Sequence, residues 1–441
     1  MVTIKEILKV EVAPALGCTE PSAVALCTAS AAALMKQKKL ESIELWLDPN
    51  IYKNALAVSI PGAGGACGID LAAVLGFYCG DAQKALEVLE GIDESCLVEA
   101  RRFLDERDVK IHIVEDSNGI HIRARIAGER ETAEALIEDF HDNLTSLVHN
   151  DRPVESHPLL SGMARQKGAV GEIEKFLKNR SLEELIGLVQ EIDEEDAAFI
   201  MEGVRCNLKL VEHGLTYGDG MGVGKTLDRL AREGLLKRDM ALEARIKTCA
   251  AADARMSGVK LPAMSSSGSG NLGLTAVLPI WAIKDHIQHG GEQEVVKAIA
   301  LSHLITAYIK AYTGRLSAVC GCSIAAGAGA TAGITYLMGG DAFHIAGSIR
   351  NLIEDLAGVI CDGAKDSCAL KLGTAAGTAV QSALFSLHGI NVKERDGIVA
   401  STAEETMRNV AILSTNGMIE TDRTILKILI DKQFSLRRRK S

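Results

Sequence analysis

The spacing of apolar residues changes near residue 155, and this change limits the folds open to the chain. Before it, segments such as 42–48 and 119–126 alternate apolar and polar residues, which is typical of half-buried strands. Between Met201 and Ser386, alanine-rich helical segments are separated by glycine-rich breaks, with no convincing strand pattern. The sequence therefore predicts an α+β protein, with a mixed α/β N-terminal domain (1–155) and a mainly helical, Ala/Gly-rich C-terminal domain (156–441).

The domain boundary is predicted in a segment without periodicity. Residues 150–162 contain two prolines and charges of both signs, which is typical of a linker. Upstream, the alternating segments 111–116 and 119–126 flank the turn-forming residues 116–119. This arrangement predicts a β-hairpin.

Composition argues against several classes of protein. The net charge of −10 repels phosphate backbones, so we expect no nucleic-acid partner. The N-terminus lacks the features of a secretory signal, so we expect a cytoplasmic protein. The charge-free stretch 316–340 is long enough to span a bilayer, but its small, weakly hydrophobic residues favour a helix buried inside the protein over a membrane span.

Four cysteines in the C-terminal half lie beside glycine and other small residues, namely Cys320, Cys322, Cys361 and Cys368. Because cytosolic thiols stay reduced, we expect metal binding or catalysis here in preference to a disulfide framework. A glycine-rich backbone can approach an inorganic cluster closely and direct N–H groups at its sulfurs. The spacing matches neither zinc pairs nor the ferredoxin run, so from the residues alone a metal site and buried structural cysteines are equally open.

A second candidate site is the sequence GCTEP at residues 17–21. Cys18 would lie at the start of a helix, with Glu20 in its first turn. The positive end of the helix dipole would lower the pKa of the Cys18 thiol, which suits a base or a nucleophile. An ordinary capped helix with a buried cysteine is the stronger alternative as long as no partner is identified.

A third candidate is the serine-rich sequence SSSGSGNLGL at residues 265–274, which precedes an apolar helix. The hydroxyls of Ser265, Ser266 and Ser267, the Asn271 side chain and exposed N–H groups could hold a carboxylate. A flexible connector without a function is an equally good interpretation.

The sequence GDGMGVGKT at residues 218–226 looks like a phosphate-binding loop. Asp219 stands where that motif requires its first glycine, and no strand is predicted before it. We therefore expect a turn between two helices and no binding of ATP or GTP.

Taken together, four segments resemble the L-cysteine desulfidase family, relatives of the oxygen-sensitive iron–sulfur L-serine dehydratases. They are GCTEP (17–21), SSSGSGNLGL (265–274), VCGCSIAAG (319–327) and ICDGAKDSCALK (360–371). The resemblance extends from Ala13 to about Met418 and covers nearly the whole chain. GCTEP and ICDGAKDSC are its most specific parts.

The resemblance implies a [4Fe-4S] cluster held by three cysteines, with one iron left open for substrate. Cys361 and Cys368 match the family pattern directly, and Cys320 and Cys322 both lie in the segment of the third ligand. The glycine frame of the serine dehydratases favours Cys322. The family's proposed proton acceptor corresponds to Cys18.

The implied activity is an α,β-elimination that converts L-cysteine to pyruvate, ammonia and sulfide. Candidate substrate-binding residues are Thr19, Glu20, Ser265, Ser266, Ser267 and Asn271. An L-serine dehydratase of the same mechanism and a non-catalytic, cluster-based redox sensor are the alternatives. The expected partner is a small amino-acid substrate. We expect no membrane association, and the protein is a possible homodimer.

Overall fold

The computed structural model describes residues 2–36, 39–115, 117, 119–161, 164–287 and 291–438. These residues combine a β-sheet with many helices, which confirms the predicted α+β class. The helices are α1 (Ile4–Glu11), α2 (Thr19–Ala32), α3 (Pro49–Ala55), α4 (Ile69–Cys79), α5 (Glu94–Glu106), α6 (Pro158–Ser161), α7 (Ala164–Lys178), α8 (Leu182–Leu188), α9 (Glu194–Tyr217), α10 (Val223–Arg232), α11 (Met240–Met256), α12 (Gly270–Ile283), α13 (Glu292–Thr313), α14 (Gly327–Leu337), α15 (Ala342–Leu356), α16 (Cys368–Leu387), α17 (Ala403–Ile412) and α18 (Ile419–Arg438). The strands are β1 (Pro14–Leu16), β2 (Leu40–Leu47), β3 (Lys110–Ile113), β4 (His121–Gly128), β5 (Thr132–Glu138), β6 (Leu144–His149), β7 (Arg152–Pro153) and β8 (Pro262–Met264).

The larger sheet has the strand order β3-β2-β4-β5-β6-β7. Strand β2 lies between β3 and β4, parallel to the first and antiparallel to the second. The predicted hairpin of 111–116 with 119–126 is therefore wrong, and Asp116 and Asn118 of its turn lie outside the described residues. The alternating pattern identified both strands, but alternation specifies which side chains are buried and not which strand is the neighbour.

Helix α2 packs against the sheet and begins at the GCTEP sequence. Alternate residues of β2 and β4 are buried in the core that this helix shares, among them Ile43, Leu45, Ile122 and Ile126. All of α2 is buried, because α4 packs on it as well as the sheet. The start of α2 is thereby held in the interior of the protein.

The helices after residue 164 pack through small side chains. Gly214 of α9 and Gly224 of α10 both face the backbone of Ala250 in α11, and a Cβ atom at either glycine would clash with it. Such close approach of helices needs residues with little side-chain volume. This explains why the sequence is rich in alanine and glycine here.

Each end of the chain packs into a core that is formed mainly by the other half of the sequence. Ile4, Ile7 and Leu8 of α1 belong to the core of the helical part, whereas Leu426 of α18 belongs to the core around the sheet. Strand β1 pairs with β8 in a separate antiparallel sheet, with Pro14 opposite Met264. The division into domains at 155/156 stays a prediction.

The apolar helices lie inside the protein. Within the described residues, Glu292–Thr313 is long and apolar enough to cross a membrane, and 89% of its 18-residue window is buried inside the structure. In the charge-free stretch 316–340, a π-helical segment, Cys322–Ala326, continues into α14, and most of its residues are buried. A buried helix was the prediction for this stretch, and it is confirmed.

Two cysteines outside the predicted sites form a disulfide. Cys79 at the end of α4 is bonded to Cys96 in the first turn of α5, with their Cα atoms 6.1 Å apart. The expectation that the cysteines form no disulfide is wrong for this pair. The pairing depends on how α4 and α5 pack, and spacing in the sequence does not reveal it.

Candidate active site

The β1–β8 pairing brings the GCTEP sequence and the serine-rich loop together. The Ser265 hydroxyl donates a hydrogen bond to the Ala13 carbonyl (2.7 Å), just beyond the end of the strand pair. Arg255 of α11 ties the two segments further, since it donates to the Gly17 carbonyl and, at 2.9 Å, to Asn271 Oδ1. Gly17 has a φ of 65°, a left-handed conformation that suits glycine. The loop before α2 is thus held against the loop before α12.

These segments line one cavity together with the cysteines of the C-terminal half. The space that these residues line is about 710 Å³, a volume that includes the part open to solvent. The cavity unites most of the residues that the sequence singled out. The predicted residues in its wall are Cys18, Thr19, Glu20, Asn271, Cys320, Cys322, Cys361 and Cys368.

Backbone pairing places two of the four cysteines side by side. The Cys320 N–H donates to the Val359 carbonyl, and the Cys361 N–H donates to the Ala318 carbonyl, both at 2.8 Å. Cys322 begins the π-helical segment, and Cys368 is the first residue of α16. A hydrogen bond from Cys322 lowers the pKa of the Cys320 thiol to about 6, and the same contact raises the pKa of Cys322. Both thiols adjoin the cavity, so the preference for Cys322 as third ligand stays a prediction.

The four thiols are the donor type that holds iron–sulfur clusters. In the part of the chain that the structure describes, no three His, Cys, Asp or Glu side chains surround one metal-ion position. The four thiols and the adjoining Gly321 and Gly363 match the residue types that such a cluster needs.

Cys18 lies at the N-cap of α2, as predicted, but its thiol is not acidified there. Burial, followed by the negative charge of Glu20, raises the pKa of Cys18 well above its usual value. The thiol donates a hydrogen bond to Glu20 Oε2 at 2.8 Å, and Thr19 Oγ1 donates to the same oxygen at 3.1 Å. The expectation of a lowered pKa is wrong because loss of water and a neighbouring carboxylate outweigh the helix dipole.

The Glu20 carboxylate joins Cys18 to His141, a residue that the sequence did not single out. His141 lies in the turn between β5 and β6, buried, with Nε2 3.8 Å from Glu20 Oε1. Burial alone would raise the pKa of Glu20, but its interactions with His141 and Cys18 lower it to about 2. No motif marks His141, since only the sheet brings its turn to α2.

The three serines have different surroundings. The Ser265 hydroxyl is bonded to Ala13, and the Ser266 hydroxyl lies 3.0 Å from His303 Nδ1. Ser267 Oγ is buried without a hydrogen-bond partner in the described structure, and its φ of 48° is unusual for a residue with a side chain. None of these three serines lines the active-site cavity, so their role in substrate binding stays a prediction.

Two buried cations, Arg255 and Lys310, also line the cavity. Across the described ranges, neither side chain has a carboxylate within ion-pair distance. Burial, together with the nearby charge of Arg315, lowers the pKa of Lys310 to about 8. An uncompensated buried cation is costly, so the cavity is suited to anionic occupants such as thiolates or a carboxylate.

The glycine-rich loop at 218–226 connects α9 to α10, as predicted. The Gly224 N–H donates a hydrogen bond to Asp253 Oδ2 at 2.9 Å. Backbone hydrogen bonds from Gly222 and Val223 also favour the ionised form of this carboxylate. Burial raises the pKa of Asp253 to about 6. The anion-binding backbone of this loop is thus directed at a carboxylate of the protein itself.

Comparison with known proteins identifies the family of this chain. The sequence model described as serine dehydratase alpha chain matches residues 83–427. The chain belongs to the serine dehydratase alpha chain family. The UPF0597 proteins of Desulfatibacillum aliphaticivorans and Desulfotalea psychrophila are each 54% identical to it, over 98% and 97% of this chain and 99% and 98% of their own lengths. The UPF0597 protein of Clostridioides difficile is 42% identical, over 97% of this chain and 99% of its own.

Membership of the serine dehydratase alpha chain family implies a lyase-like enzyme of the serine dehydratase type. The family is generally iron–sulfur dependent, and the matched residues include all four cysteines of the cavity. The match begins after Cys18, so the GCTEP segment is covered only by the full-length relatives.

Proposed function

We propose that the protein is an iron–sulfur L-cysteine desulfidase, which converts L-cysteine to pyruvate, ammonia and sulfide. The observation that carries this proposal is the meeting of Cys18 with the four cysteines Cys320, Cys322, Cys361 and Cys368 in one cavity. In the resemblance, Cys18 corresponds to the proton acceptor proposed for the desulfidases, and three of the other four cysteines correspond to the cluster ligands.

Cys361, Cys368 and Cys322 would hold a [4Fe-4S] cluster, with Cys320 as the alternative third ligand. Lys371 and Lys310 line the same wall and would offset the negative charge of the thiolates. When bound, the cluster would supply an open iron that acts as a Lewis acid on the leaving group.

Cys18 would move the proton. The Cys18 thiol must lose its own proton before it can accept one from substrate, and the charge of Arg255 favours the thiolate against the opposing effects of burial and Glu20. Glu20 would orient the thiol through the hydrogen bond that its Oε2 atom accepts, with His141 3.8 Å from its other oxygen. The resulting thiolate removes the α-proton of L-cysteine while the bond from Cβ to sulfur breaks, with its electron pair leaving on sulfur. The product 2-aminoacrylate then hydrolyses to pyruvate and ammonia.

The substrate is a small amino acid, for which Thr19 and Asn271 are the proposed polar contacts. Both line the cavity together with Cys18, so they would hold the α-carbon near its thiol. We place this reaction in the cytoplasm, where the cluster thiols stay reduced.

L-Serine is the second candidate substrate, because the family match points to serine dehydratases. Thiol and hydroxyl leaving groups differ little in size, and a pocket separates such substrates only modestly. A redox sensor without turnover is the remaining alternative.

The test is anaerobic reconstitution with iron and sulfide, followed by assays of pyruvate and sulfide from L-cysteine and of pyruvate from L-serine. Sulfide together with pyruvate supports the desulfidase. Pyruvate from L-serine alone would change the substrate and keep the mechanism. A cluster with neither product would favour the sensor, and failure to bind iron would refute both enzyme proposals.

A further inference from the structure

Arg315 lies in a wall that separates two cavities. One is the active-site cavity. The other, called the outer cavity, has a volume of about 870 Å³ including its open part and adjoins the first on the side of α1 and β1. Both cavities are lined by Thr19, His141, Gly268 and Arg315. A side chain in this shared wall adjoins both cavities.

Contacts with Glu11 and Phe140 hold the guanidinium of Arg315 in place. Its Nη1 and Nη2 atoms lie 3.3 Å and 3.2 Å from the two carboxylate oxygens of Glu11, whose side chain is buried. The Phe140 ring lies 5.4 Å from the guanidinium carbon. A Cβ atom at Gly268 would lie 3.2 Å from Nη1, so the glycine allows the loop backbone to approach the cation closely. Glu174 is a further carboxyl whose ionisation the Arg315 charge influences.

The other cations of the active-site cavity are less suited to bind a substrate carboxylate. Both terminal nitrogens of Arg255 already donate to the protein, to Gly17 and Asn271. Lys310 lies near Gly321 in the cysteine-lined wall, and Lys371 is paired with Asp362 at 2.5 Å. Both terminal nitrogens of Arg315 donate as well, but to the single carboxylate of Glu11, whereas Arg255 ties two loops together. In the described structure this leaves Arg315 three of its five N–H donors, in a planar geometry that matches a second carboxylate.

We propose that Arg315 binds the carboxylate of the α-amino acid substrate, with Glu11 fixing the guanidinium from the opposite side. This inference rests on the proposed function and adds a residue that selects amino acids over simple amines. A carboxylate bound at Arg315, next to Thr19, would orient the α-carbon toward Cys18 and the sulfur toward the cysteine-lined wall. The contact is a charge-assisted one, so it should contribute strongly to affinity.

The test compares two halves of L-cysteine as ligands of the anaerobically reconstituted holoenzyme. 3-Mercaptopropionate keeps the thiol and the carboxylate, whereas cysteamine keeps the thiol and the amine. Their dissociation constants are measured by calorimetry for the wild type and for Arg315→Met, Arg315→Lys and Lys9→Met. Lys9 lines the outer cavity without reaching the shared wall, so its variant removes a nearby charge as a matched control.

We expect Arg315→Met to weaken 3-mercaptopropionate binding by about 10-fold or more and to leave cysteamine within about 2-fold, with Arg315→Lys between the wild type and Arg315→Met. Lys9→Met should change neither. Equal weakening of both compounds, or no change in either, would overturn the assignment of Arg315. Iron content and the cluster absorption spectrum show whether each variant is intact, and if Arg315→Met loses its cluster the comparison is decided by Arg315→Lys. A wild-type protein that binds neither compound would refute the proposed function, and this inference with it.

Discussion

His303 should make the protein sensitive to acid. Its ring is buried in α13, beside Ser266 of the serine-rich loop, and burial lowers its pKa from 6.5 to about 4. In the unfolded chain the same ring titrates near its ordinary value, so between these two pKa values the unfolded state binds the extra proton. The neutral ring therefore makes its full contribution to the free energy of unfolding above the pKa of His303 in the unfolded chain. This contribution is lost as the pH falls toward the pKa of His303 in the folded protein.

The magnitude follows from the two pKa values. At about pH 5 the unfolded ring is almost fully protonated and the folded ring is almost neutral, which lowers the free energy of unfolding by about 2 kcal/mol relative to pH 8. This is a large part of the typical stability of a protein. The effect should be confined to acid conditions, since the ring is neutral in both states above neutral pH.

The assay is urea unfolding of the apoprotein at about pH 5 and pH 8, followed by circular dichroism. His303→Asn keeps a polar group near Ser266 but cannot titrate. It should lower stability at both pH values through lost packing, and it should reduce the difference between them by about 2 kcal/mol. The exposed His286 provides the control variant His286→Asn, which should keep the wild-type difference. If His303→Asn retains that difference as well, the buried ring is not its cause.

Three further substitutions test the site and the packing. Cys361→Ser should remove iron and activity together, measured by iron analysis and pyruvate release; an active variant without iron would contradict its role as a ligand. Cys18→Ala should keep the iron–sulfur absorption but lower turnover by roughly 100-fold or more, as expected for loss of a general base; unchanged turnover would exclude Cys18 as the proton acceptor. Gly224→Ala places a Cβ atom against the Ala250 backbone and should cost about 1–3 kcal/mol of unfolding free energy in urea titrations; a neutral effect would show that α10 can shift away from α11.

The sequence was most informative where a local pattern determines the outcome. The start of α2 at Thr19 follows from the helix-entry residues of GCTEP, and the strands β2 and β4 follow from alternation. The buried helix after Cys322 follows from a long run without charge. Each of these features depends on neighbours in the sequence.

Features that depend on distant contacts were missed. His141 reaches Glu20 only through the packing of the sheet on α2, and Cys79 reaches Cys96 only through the packing of α4 and α5. The pKa of Cys18 was expected to fall, because the helix dipole is visible in the sequence, whereas burial is not. Motifs therefore identified which residues carry the chemistry, and the structure was needed to find what surrounds them.

The β1–β8 pairing also determines when the site can form during synthesis. Ala13 and its partner Ser265 are 252 positions apart in the chain. At the usual rate of translation, the GCTEP segment leaves the ribosome roughly 10–50 s before the strand that holds it. Cys18 must spend that interval without its final surroundings, although the sheet on which α2 packs is already complete. Closure of the cavity around Cys18 is therefore a late event in the life of the nascent chain, because it needs both β8 and the cysteines of its wall, the last of which, Cys368, follows β8 by more than 100 residues.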